Sequence, residues 1–267
     1  MRIKVATLNV HGRQHRWRER RHLIVGQVMD AGPDLLSLQE INFPMGQAKW
    51  LRDQINTRLS GSRREPYSLV QKQMTQLLHG SLDGVGILTR LPVITSDALD
   101  LGYEGRVAVR ANVALPSGET LDFIATHLHH IARDRQARLE QVMALSGWLN
   151  DTGSVPLQVV AGDFNEVPDG PAIQQMKQAY RSAMEVVRGY EPLATFPTAL
   201  VPQADDWSGC LDYIFISSGI EVKEARIFVD EPAEEDDTLY GSDHVGLLAT
   251  LEVKNRAQAR RSGTQRV

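Results

Sequence analysis

The chain has 267 residues, of which 42% are hydrophobic and 23% charged, and a formal net charge of −4. This is the composition of an ordinary globular protein with enough apolar residues for a large core. The negative net charge argues against a surface that is basic overall and binds nucleic acids through that charge. The single cysteine, Cys210, excludes an internal disulfide. Together with the absence of a transmembrane run and of a signal-peptide pattern, it predicts a cytoplasmic protein.

The first half of the chain is predicted to alternate strands and helices and then to form hairpin-connected strands. Gly32-Pro33 ends the first helix, whose apolar residues run from about 23 to 29, and a second helix covers about 46–59. Short β-branched or alternating apolar runs predict the strands. These strands cover residues 3–8, 34–39, 67–71, 84–89, 93–99, 106–115 and 121–126.

The second half continues with a helix over 133–150 and a long irregular segment over 189–209. Further helices are predicted over 172–180 and 181–188, and further strands over 157–160, 211–216, 222–229 and 245–253. Strands outnumber helices, and hairpins are mixed with crossovers. This pattern predicts an α/β fold of two packed sheets with helices outside, formed by one domain over residues 1–254. Residues 255–267 are predicted to be a disordered basic tail.

Polar side chains recur where the predicted strands open onto loops. Taken singly, each is explained by turn capping, and Asp163 with Asn165 could form an Asx turn before the helix near Ala172. Taken jointly, they are typical of a site on a rigid scaffold. The candidates are Asn9, Glu40, His127, Asp163, Asn165, Asp212, Asp243 and His244.

The residue types at these strand ends favour one kind of chemistry. Hard carboxylate and amide oxygens without a Cys/His cage select Mg²⁺ or Mn²⁺ over zinc. Histidines beside carboxylates can donate to phosphate oxygens. The sequence has no Gly-rich phosphate loop, dinucleotide fingerprint or nucleophile elbow.

The candidate residues lie within seven short motifs that follow one another along the chain. The motifs are Thr7-Leu8-Asn9-Val10-His11-Gly12, Leu38-Gln39-Glu40, Gly84-Val85-Gly86-Ile87-Leu88-Thr89-Arg90, Thr126-His127-Leu128, Gly162-Asp163-Phe164-Asn165, Leu211-Asp212-Tyr213-Ile214 and Ser242-Asp243-His244. In this order they resemble the motifs of the endonuclease/exonuclease/phosphatase superfamily, which includes DNase I, apurinic/apyrimidinic endonucleases, deadenylases, sphingomyelinases and inositol-polyphosphate 5-phosphatases. The resemblance covers residues 1–253 and implies a DNase I-like, four-layer α/β sandwich of two mixed sheets flanked by helices.

The resemblance also implies a metal site. Glu40 would be the principal ligand of Mg²⁺ (or Mn²⁺), helped by Asn9 and Asp243. The ion would act as a Lewis acid and neutralise the leaving oxygen of a phosphoester substrate.

The remaining candidates would act on the phosphate and the attacking water. By resemblance, Asp163 would position or deprotonate the water and Asn165 would hold the phosphate. His244, oriented by Asp212, and His127 would stabilise charge on the phosphate oxygens. No covalent phosphoenzyme is needed.

Two departures from the family pattern bear on the substrate. His11 stands where apurinic/apyrimidinic endonucleases carry an Asp ligand, and His127 stands where they carry a Tyr. Both argue against a dedicated abasic-site enzyme. The leading hypothesis is a phosphodiesterase such as a nuclease. The alternatives are a phosphatase or sphingomyelinase-like phospholipid phosphodiesterase and, less favoured, a non-catalytic binding module.

A nucleic-acid partner would need phosphate and base contacts near the site. The basic segment 13–21 could bind phosphates, and Trp17, Phe196 or Trp207 could stack on a base. The acidic loop 231–237 would repel a long polyanion. The sequence therefore leaves both a polynucleotide and a small phosphoester open.

Overall fold

A computed structural model describes residues 1–75, 82–151, 157–202 and 208–253. The predicted basic tail and Trp207 lie outside these described residues. The secondary structure in chain order is β1 (Arg2–Asn9), α1 (Trp17–Ala31), β2 (Leu35–Gln39), α2 (Gln47–Leu59), β3 (Ser68–Gln73), β4 (Gly84–Thr89), β5 (Val93–Asp100), β6 (Val107–Ala114), β7 (Thr120–His127), α3 (Arg135–Asp151), β8 (Gln158–Asp163), α4 (Pro171–Met176), β9 (Arg181–Ser182), α5 (Ala183–Arg188), β10 (Asp212–Ile216), β11 (Ile220–Phe228) and β12 (Gly246–Val253).

The strands form two mixed six-stranded sheets, in the orders β11-β12-β1-β2-β4-β3 and β5-β6-β7-β8-β10-β9. Each sheet contains one parallel pair, β1 with β2 and β7 with β8, and the connection within each pair carries a helix. Because parallel strands need such a crossover, the polar ends of these strands emerge at the same edge of each sheet. The predicted fold of two packed mixed sheets flanked by helices is confirmed.

Apolar side chains fill three layers. Residues of both sheets, such as Val5 and Val159, pack between the sheets. Leu8 and Ile24 belong to the cluster between the first sheet and α1 and α2, and Leu145 belongs to the cluster between the second sheet and α3 and α4. Central strands covered on both faces read as continuous apolar runs, which is why the sequence showed them clearly. Within the described residues, no helix is both long and apolar enough to cross a bilayer.

The region after β8 differs from the prediction. The helix expected over 172–180 ends at Met176, and the second expected helix starts only at Ala183. Between them, Arg181–Ser182 forms β9, which pairs with β10 at Ser182 and Phe215. A two-residue strand leaves no periodic signal, and it forms because the free edge of β10 supplies backbone partners.

Arg20 lies inside the protein, although it belongs to the basic segment 13–21 that could have bound phosphates. Its side chain is fully buried, and its guanidinium donates to backbone carbonyls of the loop after β1 and of Gly241. A phosphate-binding role for Arg20 is therefore wrong. The acceptors are the carbonyl oxygens of Val10, His11, Gly12, Gln14, His15 and Gly241.

Arg20→Met should destabilise the fold, because it leaves those carbonyl oxygens buried without a donor. We expect a loss of at least about 3 kcal/mol in the free energy of unfolding. Urea denaturation followed by circular dichroism measures it. Arg18→Met is the matched control because Arg18 is exposed on the same helix, and its change should stay within about 0.5 kcal/mol. Equal effects of the two substitutions would contradict the structural role of Arg20.

Candidate active site

The ends of β1 and β8 leave their sheets through the same local structure. The backbone N–H of His11 donates to Asn9 Oδ1 at 2.9 Å, and the backbone N–H of Asn165 donates to Asp163 Oδ1 at 2.8 Å. His11 and Asn165 both have positive φ, at 55° and 47°. These are Asx turns, in which a short polar side chain at a strand end captures the amide two residues on. Each turn uses one side-chain oxygen and leaves the other polar atom of Asn9 and Asp163 free for a different contact.

Those remaining atoms join the two sheets. Asn9 Nδ2 donates to Asp163 Oδ2 at 3.0 Å and to Glu40 Oε1 at 3.1 Å. Asn9 and Asp163 are almost completely buried. One amide group therefore brings two of the predicted acids together across the interface between the sheets.

Glu40 and Asp243, the carboxylates predicted to bind a cation, are close enough for the charge of Asp243 to act on Glu40. Burial and the charge of Asp243 raise the pKa of Glu40. Burial alone would also raise the pKa of Asp243, but a hydrogen bond from His11 and the charge of His244 hold it below its usual value. Carboxylates whose charges act on each other are the kind of oxygen donors that a hard divalent cation stabilises. Asn9 Oδ1 already accepts one hydrogen bond, so it could offer only its second lone pair.

His244 forms a tight pair with Asp212, as the family resemblance implied. Its Nδ1 lies 2.8 Å from Asp212 Oδ2, and its Nε2 lies 3.8 Å from Asp163 Oδ2. Burial works against the charged imidazole, but the charges of Asp212 and Asp163 outweigh it and raise the pKa of His244 well above its usual value. The imidazole is therefore a cation at neutral pH, held by Asp212 and facing Asp163.

Asp163 and His127 are shifted in ways that suit proton transfer. Burial and the charge of Asp212 raise the pKa of Asp163 to about 7. His127 Nε2 lies 3.5 Å from Asp163 Oδ2. Burial and the nearby charge of Arg106 hold the pKa of His127 well below its usual value, so this imidazole is neutral. Asp163, with a pKa of about 7, therefore has a neutral imidazole and an imidazolium beside its Oδ2 atom.

Asn165 lies outside the strand that carries Asp163. The strand ends at Asp163, and Asn165 Nδ2 donates to the carbonyl oxygen of Leu128 at 3.0 Å. The Asx turn weighed for this pair from the sequence is present. Asn165 therefore faces the segment after His127.

Several residues of the site carried too little sequence signal to be singled out. Arg106 is buried just before β6, and the charges of Glu40 and Asp163 act on its guanidinium. Thr195 Oγ1 accepts from the backbone N–H of Asp212 at 3.2 Å, and the Phe196 ring lies 4.8 Å from the His244 ring. A lone Arg at the start of a strand and a Thr in a long loop are too common to indicate a site, and the sequence suggested Phe196 only as a residue that could stack on a base. Their roles follow from tertiary contacts.

The basic segment and the acidic loop are partly neutralised by one another. Arg16 Nη1 lies 2.8 Å from Asp236, and Arg16 Nη2 lies 2.7 Å from Glu19. Trp17 is buried beneath the first sheet, so stacking of Trp17 on a base is wrong. Phe196 is partly exposed. The free cationic surface here is therefore smaller than the sequence suggested.

Comparison with known proteins agrees with this geometry. The model of the Endonuclease/Exonuclease/phosphatase family matches residues 6–244, and the chain belongs to this family. The comparison with curated proteins found no match.

Solved structures with the same fold include three different proteins. The catalytic domain of human Nocturnin, with a bound sulfate anion, has a TM-score of 0.75 at 19% identity over 95% of both chains. TDP2 of D. rerio, complexed with a single strand DNA product, has a TM-score of 0.76 at 16% identity over 94% of this chain and 99% of that one. A mannosyl-6-phosphatase of Bacteroides thetaiotaomicron has a TM-score of 0.73 at 17% identity, again over 94% and 99%. At these identities the likeness concerns the fold.

The raised pKa of Asp163 predicts a pH-dependent stability. Above about pH 4, the folded protein keeps a proton on Asp163 that the unfolded chain has released, so this residue lowers stability as the pH rises to about 7. In EDTA, the free energy of unfolding should therefore fall less between about pH 5 and about pH 8 in Asp163→Asn than in the parent. Urea unfolding at both pH values measures the difference. Asp30→Asn, at an exposed carboxylate, should follow the parent; a parental pH slope in Asp163→Asn would refute the shift.

Proposed function

We propose that the protein is a Mg²⁺- or Mn²⁺-dependent phosphoester hydrolase that acts as a phosphodiesterase, with a nucleic acid as its substrate class. The main support is the meeting of Asp163, Asp212 and His244, whose ligand-type atoms lie within 4.8 Å of one another at the strand ends. Three buried ionisable groups at one point are costly to fold and are typical of catalytic sites. TDP2, which shares the fold, was solved with a single strand DNA product.

Glu40 and Asp243, with Asn9, would hold the cation. When bound, it supplies Lewis-acid polarisation of a phosphoryl oxygen and neutralises the leaving oxygen. Asn9 orients Glu40 through the hydrogen bond from its Nδ2, and His11 orients Asp243 through a 2.7 Å contact from its Nδ1. His11, which stands where some relatives carry an acid, thereby acts on the site by holding Asp243.

Asp163 would be the general base. A pKa of about 7 lets its carboxylate take a proton from the attacking water at neutral pH. The oxygen of that water attacks phosphorus while the bond to the leaving oxygen breaks. His244, as a cation held by Asp212, and neutral His127 would donate hydrogen bonds to the phosphate oxygens as their charge increases. Asn165 would hold the phosphate through its side-chain amide.

A phosphatase or another hydrolase of a small phosphoester is the second candidate. One observation favours it. Arg16 and Arg20 already bind other groups of the same chain, so Arg13 and Arg18 are the exposed arginines of the basic segment that remain to bind a polyanion. The mannosyl-6-phosphatase with the same fold shows that this scaffold also carries an enzyme named for a small phosphoester.

Glu40→Gln should weaken the metal dependence of hydrolysis. EDTA should abolish turnover of bis-p-nitrophenyl phosphate by the parent, and Mg²⁺ or Mn²⁺ should restore it. The Mg²⁺ concentration for half-maximal rate should rise at least about tenfold in Glu40→Gln, because one charged ligand is lost. Glu234→Gln, at an exposed acid, is the control. Full parental activity in EDTA, or parental Mg²⁺ titration of Glu40→Gln, would refute this assignment.

Asp212→Asn and His244→Ala should each lower kcat by at least about 100-fold, because each removes the oriented imidazolium. The double variant should be little worse than either single one, since the two residues act as one unit. Steady-state kinetics with bis-p-nitrophenyl phosphate measures all three. Circular dichroism confirms that each variant is folded. Multiplicative losses would show that His244 acts without Asp212.

Replacing Arg13 and Arg18 with Ala should separate the two substrate classes. Burial raises the pKa of Asp83, beside the loop after β1, and Arg13 lies close enough for its charge to oppose that shift. If the substrate is a polynucleotide, the double variant should hydrolyse DNA or RNA more slowly, with a flatter salt dependence, and leave the small diester unaffected. Arg58→Ala with Arg63→Ala, also exposed, is the control. Equal effects on both substrates would favour the small phosphoester.

A further inference from the structure

Glu104, His129 and His130 form a second group of ligand-type side chains that the proposed reaction does not use. Glu104 belongs to the turn between β5 and β6, and both histidines follow β7. One nitrogen or oxygen atom from each of the three lies within 4.8 Å of the others. The Tyr103 and Glu104 backbones have positive φ, at 37° and 58°, so the turn holds Glu104 in an uncommon conformation beside the histidines.

His129 directs an unpaired nitrogen towards Glu104. The residue is buried, and its Nε2 lies 3.2 Å from Asp134 Oδ2. An imidazole N–H that faces this carboxylate leaves Nδ1 as a bare lone pair. That Nδ1 is buried, has no hydrogen-bond partner and lies 3.6 Å from Glu104 Oε2. In the tautomer with the proton on Nε2, two electron-pair donors face one another here, Nδ1 of His129 and Oε2 of Glu104.

His130 adds a second nitrogen beside the same carboxylate. Its Nδ1 lies 3.1 Å from Glu104 Oε2 and 3.1 Å from Arg106 Nη2. A guanidinium only donates, so an Nδ1 that accepts from Arg106 has no proton for Glu104. A single proton cannot give hydrogen bonds to all three atoms that meet here, which are His129 Nδ1, His130 Nδ1 and Glu104 Oε2.

We propose that Glu104, His129 and His130 bind a divalent transition-metal cation of the Zn²⁺ class, at a site separate from the oxygen-rich site of Glu40. Two imidazoles and one carboxylate form a ligand set that zinc uses with an open fourth position. Tetrahedral ligands at about 2.0–2.1 Å from Zn²⁺ lie roughly 3.3 Å apart. The distances from Glu104 Oε2 to the two Nδ1 atoms, 3.1 and 3.6 Å, bracket that value.

The surroundings supply two further properties of a metal site. Asp134 holds the opposite ring nitrogen of His129, which is the outer contact that fixes a ligating imidazole. His130 and Glu104 have half-exposed side chains, so an ion can enter from solvent. His130 Nδ1 has one lone pair, so a bound ion would replace the hydrogen bond that Arg106 donates to this nitrogen. The charge of Arg106 opposes a cation, and the carboxylates of Glu104 and Asp134 offset it. The bound ion would tie the β5–β6 turn to the segment that follows His127.

Zinc binding measured directly tests this site without reference to hydrolysis. The protein is dialysed against excess Mg²⁺, which occupies the oxygen-rich site, and then titrated with Zn²⁺, with bound zinc measured by mass spectrometry. The parent should bind one Zn²⁺ more than Glu104→Gln/His130→Ala, whose changes lie at half-exposed side chains. Asp134→Asn should weaken that binding by about 10–100-fold. Glu65→Gln/His22→Ala, at an exposed Glu and an exposed His, is the matched control and should bind like the parent.

Ring-nitrogen NMR of the parent gives a readout that needs no variant. Zn²⁺ should shift the resonances of His129 and His130 and leave His22 unchanged. Equal zinc content of the parent and the double variant, or unshifted His129 and His130 resonances, would overturn the proposal. Because neither measurement uses a phosphoester, failure here leaves the proposed hydrolase function standing, and loss of hydrolysis leaves this site standing.

Discussion

The hydrogen bond from Asn9 Nδ2 to Asp163 Oδ2 joins the two sheets at the edge where the candidate active site lies. Each partner is first fixed by an Asx turn at the end of its own strand, so neither side chain can rotate away. The apolar layer between the sheets sets the separation of β1 and β8. Glu40 is tied to the same amide, and the other acids and histidines are arranged around this contact.

Burial at this contact separates the protonation states of chemically similar groups. His127 and His244 both lie near Asp163, but Arg106 keeps the first neutral while Asp212 keeps the second charged. Asp163 is left with a pKa close to neutral pH. Environments that push the pKa values of neighbouring groups apart are how one site holds an acid, a base and an electrostatic stabiliser at the same pH. The strand ends make this feasible, because they bury side chains beside open loops.

The arginines after β1 show why a charged run in a sequence is a poor guide to a charged surface. Arg20 supports the loop from inside, Arg16 pairs with Asp236 of the acidic loop, and Arg21 lies over the Trp50 ring. The guanidinium fork suits such multiple contacts with carbonyls, carboxylates and rings. The acidic loop, expected to repel a polyanion, is in turn bound to this segment. The substrate class therefore depends on fewer exposed charges than the composition implied.

The sequence alone predicted the two-sheet sandwich and the eight candidate residues, because both depend on local patterns. Apolar runs of strand length predict the strands, and polar residues at the ends of these runs predict the site. It did not predict β9, the burial of Arg20 or the contact of His11 with Asp243, which join segments far apart in the chain. Strand-end side chains meet only once the sheets have packed. Which acid faces which histidine, and hence which of them is charged, was decided by the tertiary structure, because burial and the charge of a neighbour set each pKa.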